Sequence, residues 1–364
     1  MKSIFTLALV TLPAFAAFPN GYSYCKVVTT QHTMVSGTND LANYPLTVIL
    51  TDADLRTTGN GGLVNNTNGY DIGFYPDCSG SGTSLKWEME SYDPTTGAIV
   101  AHVLRPALSH TTDDTIGIYY GGSFTSFQST ASAVWTADGH YKGIFHLTSL
   151  TADSLGINTL TNTSVTTAIG KMGGGATFSA ASLANSSPTG IPNTFPATLE
   201  LWIKPTSVAT TQYLALISKY SGTAPSLFSI ALGPTSGALY QYQNLNTRAT
   251  AGSVVAAGAW SHIVIEFLGT TSTVLYVNGA PVTIQQPNGA YTLLGPQIYL
   301  GSLEGAAPFG GIMDEVRISD SSRSADWVLT EFRNQGAPGT YMSAGPRLTG
   351  AGPARVRHRV TGDV

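Results

Sequence analysis

The sequence predicts an all-β protein composed of two β-sandwich domains in tandem, and three observations support this fold class. The chain has 364 residues, which is enough for two domains that each bury a core. Only 10% of the residues are charged, against about 25% in ordinary soluble domains, and 40 glycines separate short apolar segments. Those segments alternate apolar and polar residues, whereas no long helical period occurs before Ser324.

The N-terminal half divides into short strands separated by turns. The alternation is plainest at residues 86–90, where Trp87 and Met89 face a core while Glu88 and Glu90 share the opposite face. Two carboxylates on one face could form a catalytic pair, but a solvated strand face is the better interpretation because no pocket signal accompanies them. The predicted strands cover residues 22–28, 44–50, 71–75, 85–92, 99–104 and 115–120.

Four motifs of this half occur in a fixed order. They are NYPL at residues 43–46, GYDIGF at 69–74, WEMESY at 87–92 and IYYG at 118–121. In this order they resemble a bacterial domain of unknown function found in exported and surface proteins. The resemblance covers most of the first predicted domain, residues 17–122, and it implies no known catalytic residues.

The second half continues the β pattern beyond a turn-rich, weakly charged linker at residues 123–133. A strand that ends in Asn278-Gly279 predicts a tight hairpin, because this pair tolerates the positive φ values that a primed turn requires. The closing strand at residues 310–318 is followed by a short helix that Ser324 can cap. The sequence therefore predicts a second sandwich that ends in a helix.

Several segments of this half, residues 134–344, resemble the concanavalin A-like, laminin-G-like jelly rolls. They include FHL at residues 145–147, LWIKP at 201–205, WSH at 260–262, LYVNG at 275–279 and GIMDEVRI at 311–318. The resemblance implies a jelly roll against which the closing helix packs Trp327 and Phe332. It leaves the function open, since this fold occurs in lectins, adhesion modules, enzyme accessory domains and some glycosidases.

Both ends of the chain carry segments that we expect to lie outside the folded domains. At the N-terminus, Lys2, an apolar run at 4–12 and a small-x-small sequence at 14–16 predict a signal peptide over residues 1–16. The protein is therefore expected to be secreted or to lie at the cell surface. No other stretch approaches about 20 apolar residues, so no membrane span is expected. Residues 345–364 carry four arginines and no apolar period, which indicates a disordered basic tail.

The two cysteines, Cys25 and Cys78, would reach an oxidising compartment after export, and both fall in the first predicted domain. We therefore predict that they form a disulfide. The alternative is a pair of buried free thiols, because a single sequence cannot show that two sulfur atoms meet.

The jelly-roll resemblance also implies a calcium site at the rim of the second sandwich. Asp153 and Asp314 match positions where several laminin-G-like domains hold calcium, and Asn158 offers an amide oxygen. Calcium takes six to eight oxygen ligands, so backbone carbonyls and water would have to complete the shell. The loop at residues 153–158 departs from the more Gly- and Asn-rich pattern of that family. The simpler alternative is that Asp314 pairs with Arg317 or caps a strand end.

A ligand-binding surface is predicted from the spacing of two tyrosines. Tyr240 and Tyr242 lie two residues apart on one predicted strand, so they face the same side and could stack on sugar rings. Most aromatic residues of sandwiches belong to the core, which is the alternative for either tyrosine. His146 and His262 lie in apolar strands and are interpreted as core histidines, and His102 has no partner at metal-ligand spacing.

These observations favour a secreted, non-catalytic recognition protein that binds glycan or another surface polymer through the jelly roll. The alternatives are a structural or adhesive spacer of a cell-surface or matrix assembly and, third, a glycoside hydrolase or its accessory module. Enzymatic activity is less favoured because the chain has no HExxH, GxSxG or ExDxxE-type motif. The net charge of −4 is too small to indicate nucleic acid as a partner.

Overall fold

The computed structural model describes residues 17–185, 188–209, 212–220, 228–233, 237–243, 246–250, 252–285, 297–303 and 306–350. Within these residues the chain forms two sandwiches with few helices, which confirms the predicted all-β class. The predicted signal peptide and residues 351–364 of the predicted tail lie outside the described residues. In the described part of the chain, no helix is long and apolar enough to cross a membrane.

Strands make up most of the regular structure in both halves of the chain. The strands of the N-terminal half are β1 (Tyr24–Thr30), β2 (Leu41–Thr51), β3 (Ile72–Tyr75), β4 (Trp87–Asp93), β5 (Ala98–Leu108) and β6 (Asp114–Tyr120). After helix α1 (Ala131–Trp135) come β7 (Tyr141–Phe145), β8 (Thr161–Thr163), β9 (Thr166–Ile169), β10 (Gly174–Ser179), β11 (Ser182–Asn185), β12 (Ala197–Pro205), β13 (Leu214–Tyr220) and β14 (Phe228–Leu232). The chain continues with β15 (Leu239–Gln243), β16 (Asn246–Ala249), β17 (Ser261–Gly269), β18 (Ser272–Val277), β19 (Ala280–Val282), β20 (Gln297–Leu300) and β21 (Gly310–Ser319). It ends with α2 (Ala325–Gly336), α3 (Pro338–Tyr341) and β22 (Met342–Thr349).

The first sandwich packs two antiparallel sheets, with strand orders β22-β1-β6-β3 and β2-β5-β4. Its core is formed by alternate residues of each sheet, such as Leu46 and Val48 of β2 with Phe74 and Ile118 of the other sheet. Each strand predicted for this half overlaps one of β1 to β6. The intervening residue Thr47 is also fully buried, because the second domain covers the outer face of β2, β4 and β5. This doubly covered sheet positions the candidate site.

The predicted disulfide is confirmed. Cys25 of β1 is bonded to Cys78 in the loop that follows β3, with 5.8 Å between their Cα atoms. The bond joins residues 53 positions apart, so it ties an interior strand of the first sheet to the loop that follows β3.

The second sandwich has, in its described residues, one sheet in the order β19-β18-β17-β12-β21-β10-β9 and another in the order β16-β15-β14-β13-β20-β11-β8. Strand β7 pairs with the second half of β21. Strand β12 lies at the centre of the first of these sheets, where Leu201 and Ile203 are fully buried. The predicted hairpin joins β18 to β19, and both Asn278 (φ 53°) and Gly279 (φ 76°) have the positive φ that the turn requires.

The end of the predicted linker belongs to a short helix. Residues 131–133, the end of that linker, form the first turn of α1, and Trp135 at its end is fully buried. Trp135 packs with Leu104 of the first sandwich and Ile144 of the second. The low charge of the segment suggested a free connection, but the large aromatic residue that follows it anchors the chain between the domains.

The chain end differs more strongly from the prediction. Residues 345–349, assigned from the sequence to a disordered tail, belong to β22, which pairs with β1 of the first sandwich. Sequence periodicity could not reveal this edge strand, because after Met342 its residues are largely exposed and backbone hydrogen bonds hold it. We call residues 324–349 the C-terminal clasp, since they run from the second sandwich back to the first.

Helix α2 of the clasp begins where the sequence predicts, because the Ser324 hydroxyl accepts a hydrogen bond from the Trp327 amide at 3.1 Å. Its two aromatic residues contact different domains. Trp327 lies against Tyr44 of the first sandwich with 4.9 Å between ring centroids, whereas Phe332 stacks on Trp202 of the second at 5.9 Å. The resemblance-based expectation is therefore correct for Phe332, while Trp327 belongs to the first core.

Candidate functional site

Four ionisable side chains from both sandwiches converge in the contact between the domains. Glu90 of β4 and His102 of β5 come from the first sandwich, and His146, directly after β7, and Glu315 of β21 come from the second. One ligand-type atom of each lies within 4.8 Å of the corresponding atom of the others. We call these four residues the interdomain centre.

The backbone at both glutamates departs from regular strand geometry. Glu90 is the extra residue of a β-bulge, since Met89 and Ser91 pair with the adjacent residues Ala101 and Val100. Glu315 lies in a second bulge of β21 and has a positive φ of 52°. Bulges re-aim a side chain out of the regular alternation, and non-glycine residues with positive φ are costly and cluster at functional sites.

The contacts inside the centre pair each histidine with a glutamate. His102 Nε2 lies 3.0 Å from Glu90 Oε2 and 4.0 Å from Glu315 Oε1. His146 Nδ1 is hydrogen-bonded to Glu315 Oε1 and lies 3.9 Å from Glu90 Oε2. The two imidazole rings stack with 4.5 Å between centroids. Two nitrogen and two oxygen atoms thus lie within 4.8 Å of one another.

Burial and neighbouring charges set the protonation of the centre. Burial lowers the pKa of His102 to about 3, so this imidazole is neutral. Burial also opposes the charge of His146, but Glu315 and Glu88 outweigh it and raise the pKa of His146 well above its usual range. Burial and the charge of Glu315 raise the pKa of Glu90 well above its usual range. These pKa shifts favour the protonated forms of His146 and Glu90.

Glu88 completes the surroundings of the centre. Its carboxylate accepts hydrogen bonds from Trp135 Nε1 and Ser154 Oγ, each at 2.6 Å, and lies 3.2 Å from His146 Nε2. Although burial opposes ionisation, the charge of His146 lowers the pKa of Glu88 to about 2. The interpretation of Glu88 and Glu90 as a solvated face was therefore wrong. As predicted, both side chains lie on the side of β4 that faces away from the first core. This side is not solvated, however, because the second domain covers it.

A second buried network adjoins the centre along β21 and α2. Arg317, which is 1% exposed, donates to Glu315 Oε2 at 2.6 Å and to Glu331 Oε1, and its Nη1 lies 3.8 Å from Glu200. His262 Nε2 in turn lies 3.0 Å from Glu200 Oε1. The Arg317 guanidinium therefore lies within ion-pair distance of three buried glutamates.

We expect His262 to make stability fall in mild acid. Burial lowers its pKa to about 4, against 6.5 in the unfolded chain, with the charges of Glu331, Arg317 and Glu315 as smaller influences. The folded state thus excludes a proton that the unfolded state binds, and stability present above pH 6.5 is lost as the pH falls towards 4. The difference of about 2.5 pKa units corresponds to about 3 kcal/mol. Urea unfolding at pH 7.5 and 4.5 should show a smaller pH-dependent loss for His262→Gln than for the unaltered protein; an equal loss in both would contradict this assignment.

Two cavities open along the contact between the sandwiches. The smaller, of about 140 Å³, is lined by Glu90 and His146 at its base and by the exposed residues Thr148 and Ser149. The larger, of about 340 Å³, lies between the ends of β2 and β4 and Gly173 of the second domain. The smaller cavity therefore leads from the surface to the interdomain centre.

The residues predicted to bind calcium divide into two places. Asp153 and Asn158 lie together, since Asp153 Oδ2 accepts hydrogen bonds from the Asn158 amide and side chain, both at 3.1 Å. Asp153 Oδ1 also accepts from the amides of Ile144 and Leu155. Asp314 instead accepts from the amides of Lys171 and Met172. Calcium binding at these residues stays a prediction.

The predicted tyrosine surface is described only in part. Tyr240 is 9% exposed and packs edge-on against Tyr213, with 5.0 Å between ring centroids. The backbone of Tyr242 pairs with Ser229 and Thr247, but its side chain lies outside the described residues. Ligand binding by the two tyrosines stays a prediction, and the burial of Tyr240 limits the surface that it can offer to a sugar ring.

Sequence reasoning missed the interdomain centre. Glu90 and Glu315, the partners of His102 and His146, are 12 and 169 residues away from them in the chain, so no local motif links the four residues. One feature of the sequence does point to the site: Glu88 and Glu90 form a charged face on a strand, in a chain that has few charged residues. Only the docking of the two domains brings His146 and Glu315 to that face.

A known protein family matches the second sandwich in sequence. Residues 173–329 match a laminin G family model, which is described as the concanavalin A-like lectin/glucanases superfamily. No curated protein matches the chain in sequence. Among solved structures, domain 4 of a GH43 extracellular arabinanase from Geobacillus stearothermophilus in complex with arabinotriose is 19% identical, with a TM-score of 0.44 over 53% of this chain and 97% of that one.

Two further solved structures match the chain. The binding domain of Paraclostridial Mosquitocidal Protein 1 is 13% identical, with a TM-score of 0.42 over 54% of this chain and 52% of that one. The CBM40 of the Ruminococcus gnavus IT-sialidase, bound to α2,3 sialyllactose, is 16% identical, with a TM-score of 0.33 over 38% and 84%. The family match thus covers residues 173–329, most of the second sandwich, and it shows that this part of the chain is similar to the concanavalin A-like lectins and glucanases.

Proposed function

We propose that the protein acts outside the cytoplasm as a recognition protein that binds a polysaccharide or another surface polymer without cleaving it. The observation that carries this proposal is the match of residues 173–329 to the concanavalin A-like lectin and glucanase family. The disulfide between Cys25 and Cys78 supports an oxidising location, where such bonds persist.

The larger interdomain cavity offers a place for a polymer segment. Its volume of about 340 Å³ falls within the range of about 300–1,000 Å³ that is usual for ligand sites. Half-buried Tyr92 and Ile49 supply aromatic and aliphatic surface, while Thr51 and Asp93 are exposed polar groups. An aromatic ring beside hydroxyl and carboxylate groups suits a neutral sugar, which needs both stacking and hydrogen bonds.

The glutamates of the second sandwich support binding rather than hydrolysis. A glycosidase needs two carboxyl groups on either side of the bond that it cleaves, about 5–10 Å apart and open to the substrate. Among the described residues, Glu200, Glu266, Glu315 and Glu331 are at most 4% exposed. Each is hydrogen-bonded inside the fold, so none of these four can reach a polymer at the surface.

We expect the full chain to be retained by at least one polymer in a panel of immobilised polysaccharides, with and without calcium. Thr51→Trp should fill the cavity and reduce retention about tenfold or more, which is a loss of about 1.4 kcal/mol. Thr115→Trp, at an exposed position of β6 away from the cavity, is the matched control and should bind normally.

The outcomes separate the competing functions. No retention on any polymer, in calcium or chelator, would reject recognition and favour the spacer. Release of soluble sugar from the panel would favour the glycosidase. Retention that requires calcium, and that Asp153→Asn abolishes, would support the predicted calcium site.

A further inference from the structure

We infer that the interdomain centre binds one divalent transition-metal ion, with His102 Nε2, His146 Nδ1, Glu90 Oε2 and Glu315 Oε1 as ligands. The inference concerns a different site from the proposed polymer site and does not depend on it. Four observations support it. They are the spacing of the four ligand atoms, the hydrogen-bond partners of the second nitrogen or oxygen atom of each ligand side chain, the backbone at the two glutamates, and the charge of the surroundings.

The spacing of the four atoms fits a tetrahedral ion after small movements. A metal about 2.1 Å from nitrogen and oxygen ligands places neighbouring ligand atoms about 3.4 Å apart. The distances from His102 Nε2 to Glu90 Oε2 and Glu315 Oε1 are 3.0 and 4.0 Å, and His146 Nδ1 lies 3.9 Å from Glu90 Oε2. The direct His146 to Glu315 hydrogen bond must lengthen most among these contacts, which an ion between the two atoms would cause.

The opposite atom of each ligand is held by a partner outside the centre. For the histidines, Thr47 Oγ1 lies 3.3 Å from His102 Nδ1, and Glu88 lies 3.2 Å from His146 Nε2. For the glutamates, Thr148 Oγ1 donates to Glu90 Oε1 at 3.0 Å, and Arg317 donates to Glu315 Oε2 at 2.6 Å. Metal-binding histidines and carboxylates are oriented by such outer contacts, and the histidine to carboxylate contact through Glu88 is a common form. The arrangement fixes which atom of each ligand faces inward.

The backbone and the surrounding charge point to the same ion. Glu90 and Glu315 occupy bulges, so two separate departures from regular strands direct these carboxylates to one point. Glu88 and Asp314 are also buried beside the centre, while Arg317 is shared with Glu331. A dication would compensate the negative charge that Glu90 and Glu315 carry when they act as ligands in this buried site.

The donor set selects the class of ion. Two imidazole nitrogens with two carboxylate oxygens suit zinc, manganese, iron or cobalt, whereas calcium takes oxygen ligands. The cavity of about 140 Å³ that reaches Glu90 and His146 provides access from solvent. Because two ligands come from each sandwich, a bound ion would also join the two domains.

The test uses the full-length protein. Its metal content after purification without chelator would be measured by mass spectrometry, and the chelator-treated protein would be titrated with Zn²⁺, Mn²⁺, Co²⁺ and Ca²⁺ by calorimetry. We expect one transition-metal ion per chain, visible absorption bands from bound Co²⁺, and a higher melting temperature with the ion than without it. No such ion in the protein and no binding of the three transition metals would overturn the inference.

Variants identify the ligands. His102→Gln should abolish stoichiometric binding, and Thr148→Val, at an exposed position that should not affect folding, should weaken it about tenfold. His140→Gln, at an exposed histidine paired with Asp320, is the matched control and should bind as the unaltered protein does. Retained affinity in a folded His102→Gln would overturn the assignment, and if that variant fails to fold, unchanged affinity in Thr148→Val would do so.

Discussion

Replacing Arg317 by methionine should destabilise the protein by about 3–5 kcal/mol, because it removes the cation that three buried glutamates share. Arg317 is 1% exposed, donates to Glu315 and Glu331, and lies over the Trp135 ring with 5.0 Å from the guanidinium carbon to the ring centroid. Methionine fills a similar volume, so the loss reports the glutamate side chains that lose their hydrogen-bond donor rather than a large cavity. Urea unfolding followed by tryptophan fluorescence would measure it.

Two comparisons make this result specific. Arg347→Met removes a surface pair with Asp54 in which the arginine side chain is 43% exposed, and it should cost about 0–1 kcal/mol. Adding Glu315→Gln and Glu331→Gln to Arg317→Met should recover part of the loss, because neutral amides need no cation. Equal losses for Arg317→Met and Arg347→Met would show that the buried charges are not held by the guanidinium.

The strands and the disulfide could be predicted because local rules determine them. Trp87 and Met89 alternate with glutamates, Asn278-Gly279 provides the required turn, and an exported chain with two cysteines favours pairing. These features depend on neighbours in sequence or on the compartment, and the sequence contains both kinds of information.

The candidate site depends on information that local patterns do not contain. The sequence pattern of Glu88 and Glu90 predicts a solvent-exposed face, because it contains no information about the second domain that docks there. The bulge that turns Glu315 adds one residue to β21, and no residue type in the closing strand signals it. Residues 345–349 pose the same problem, since their role comes from an edge on β1, more than 300 residues earlier in the chain.

Replacing Trp327 by alanine should cost about 3–5 kcal/mol, the usual loss for a buried aromatic residue, and should loosen the contact between the domains. Trp327 is 7% exposed, lies against Tyr44 of the first core and receives the Arg323 guanidinium at 4.7 Å from its ring centroid. Phe332→Ala, five residues further along the same helix, removes a ring that stacks on Trp202 of the second sandwich. The two variants therefore differ in which domain loses its contact with α2.

Hydrogen exchange would distinguish them. Trp327→Ala should raise exchange in β2 and β22 of the first sandwich, whereas Phe332→Ala should raise it in β12 and β17. Because Glu90 and His102 belong to the first sandwich and His146 and Glu315 to the second, loosening the clasp should also weaken the interdomain centre. Unchanged exchange in β2 and β22 of Trp327→Ala would mean that the Trp327 side chain does not hold the first sandwich in place.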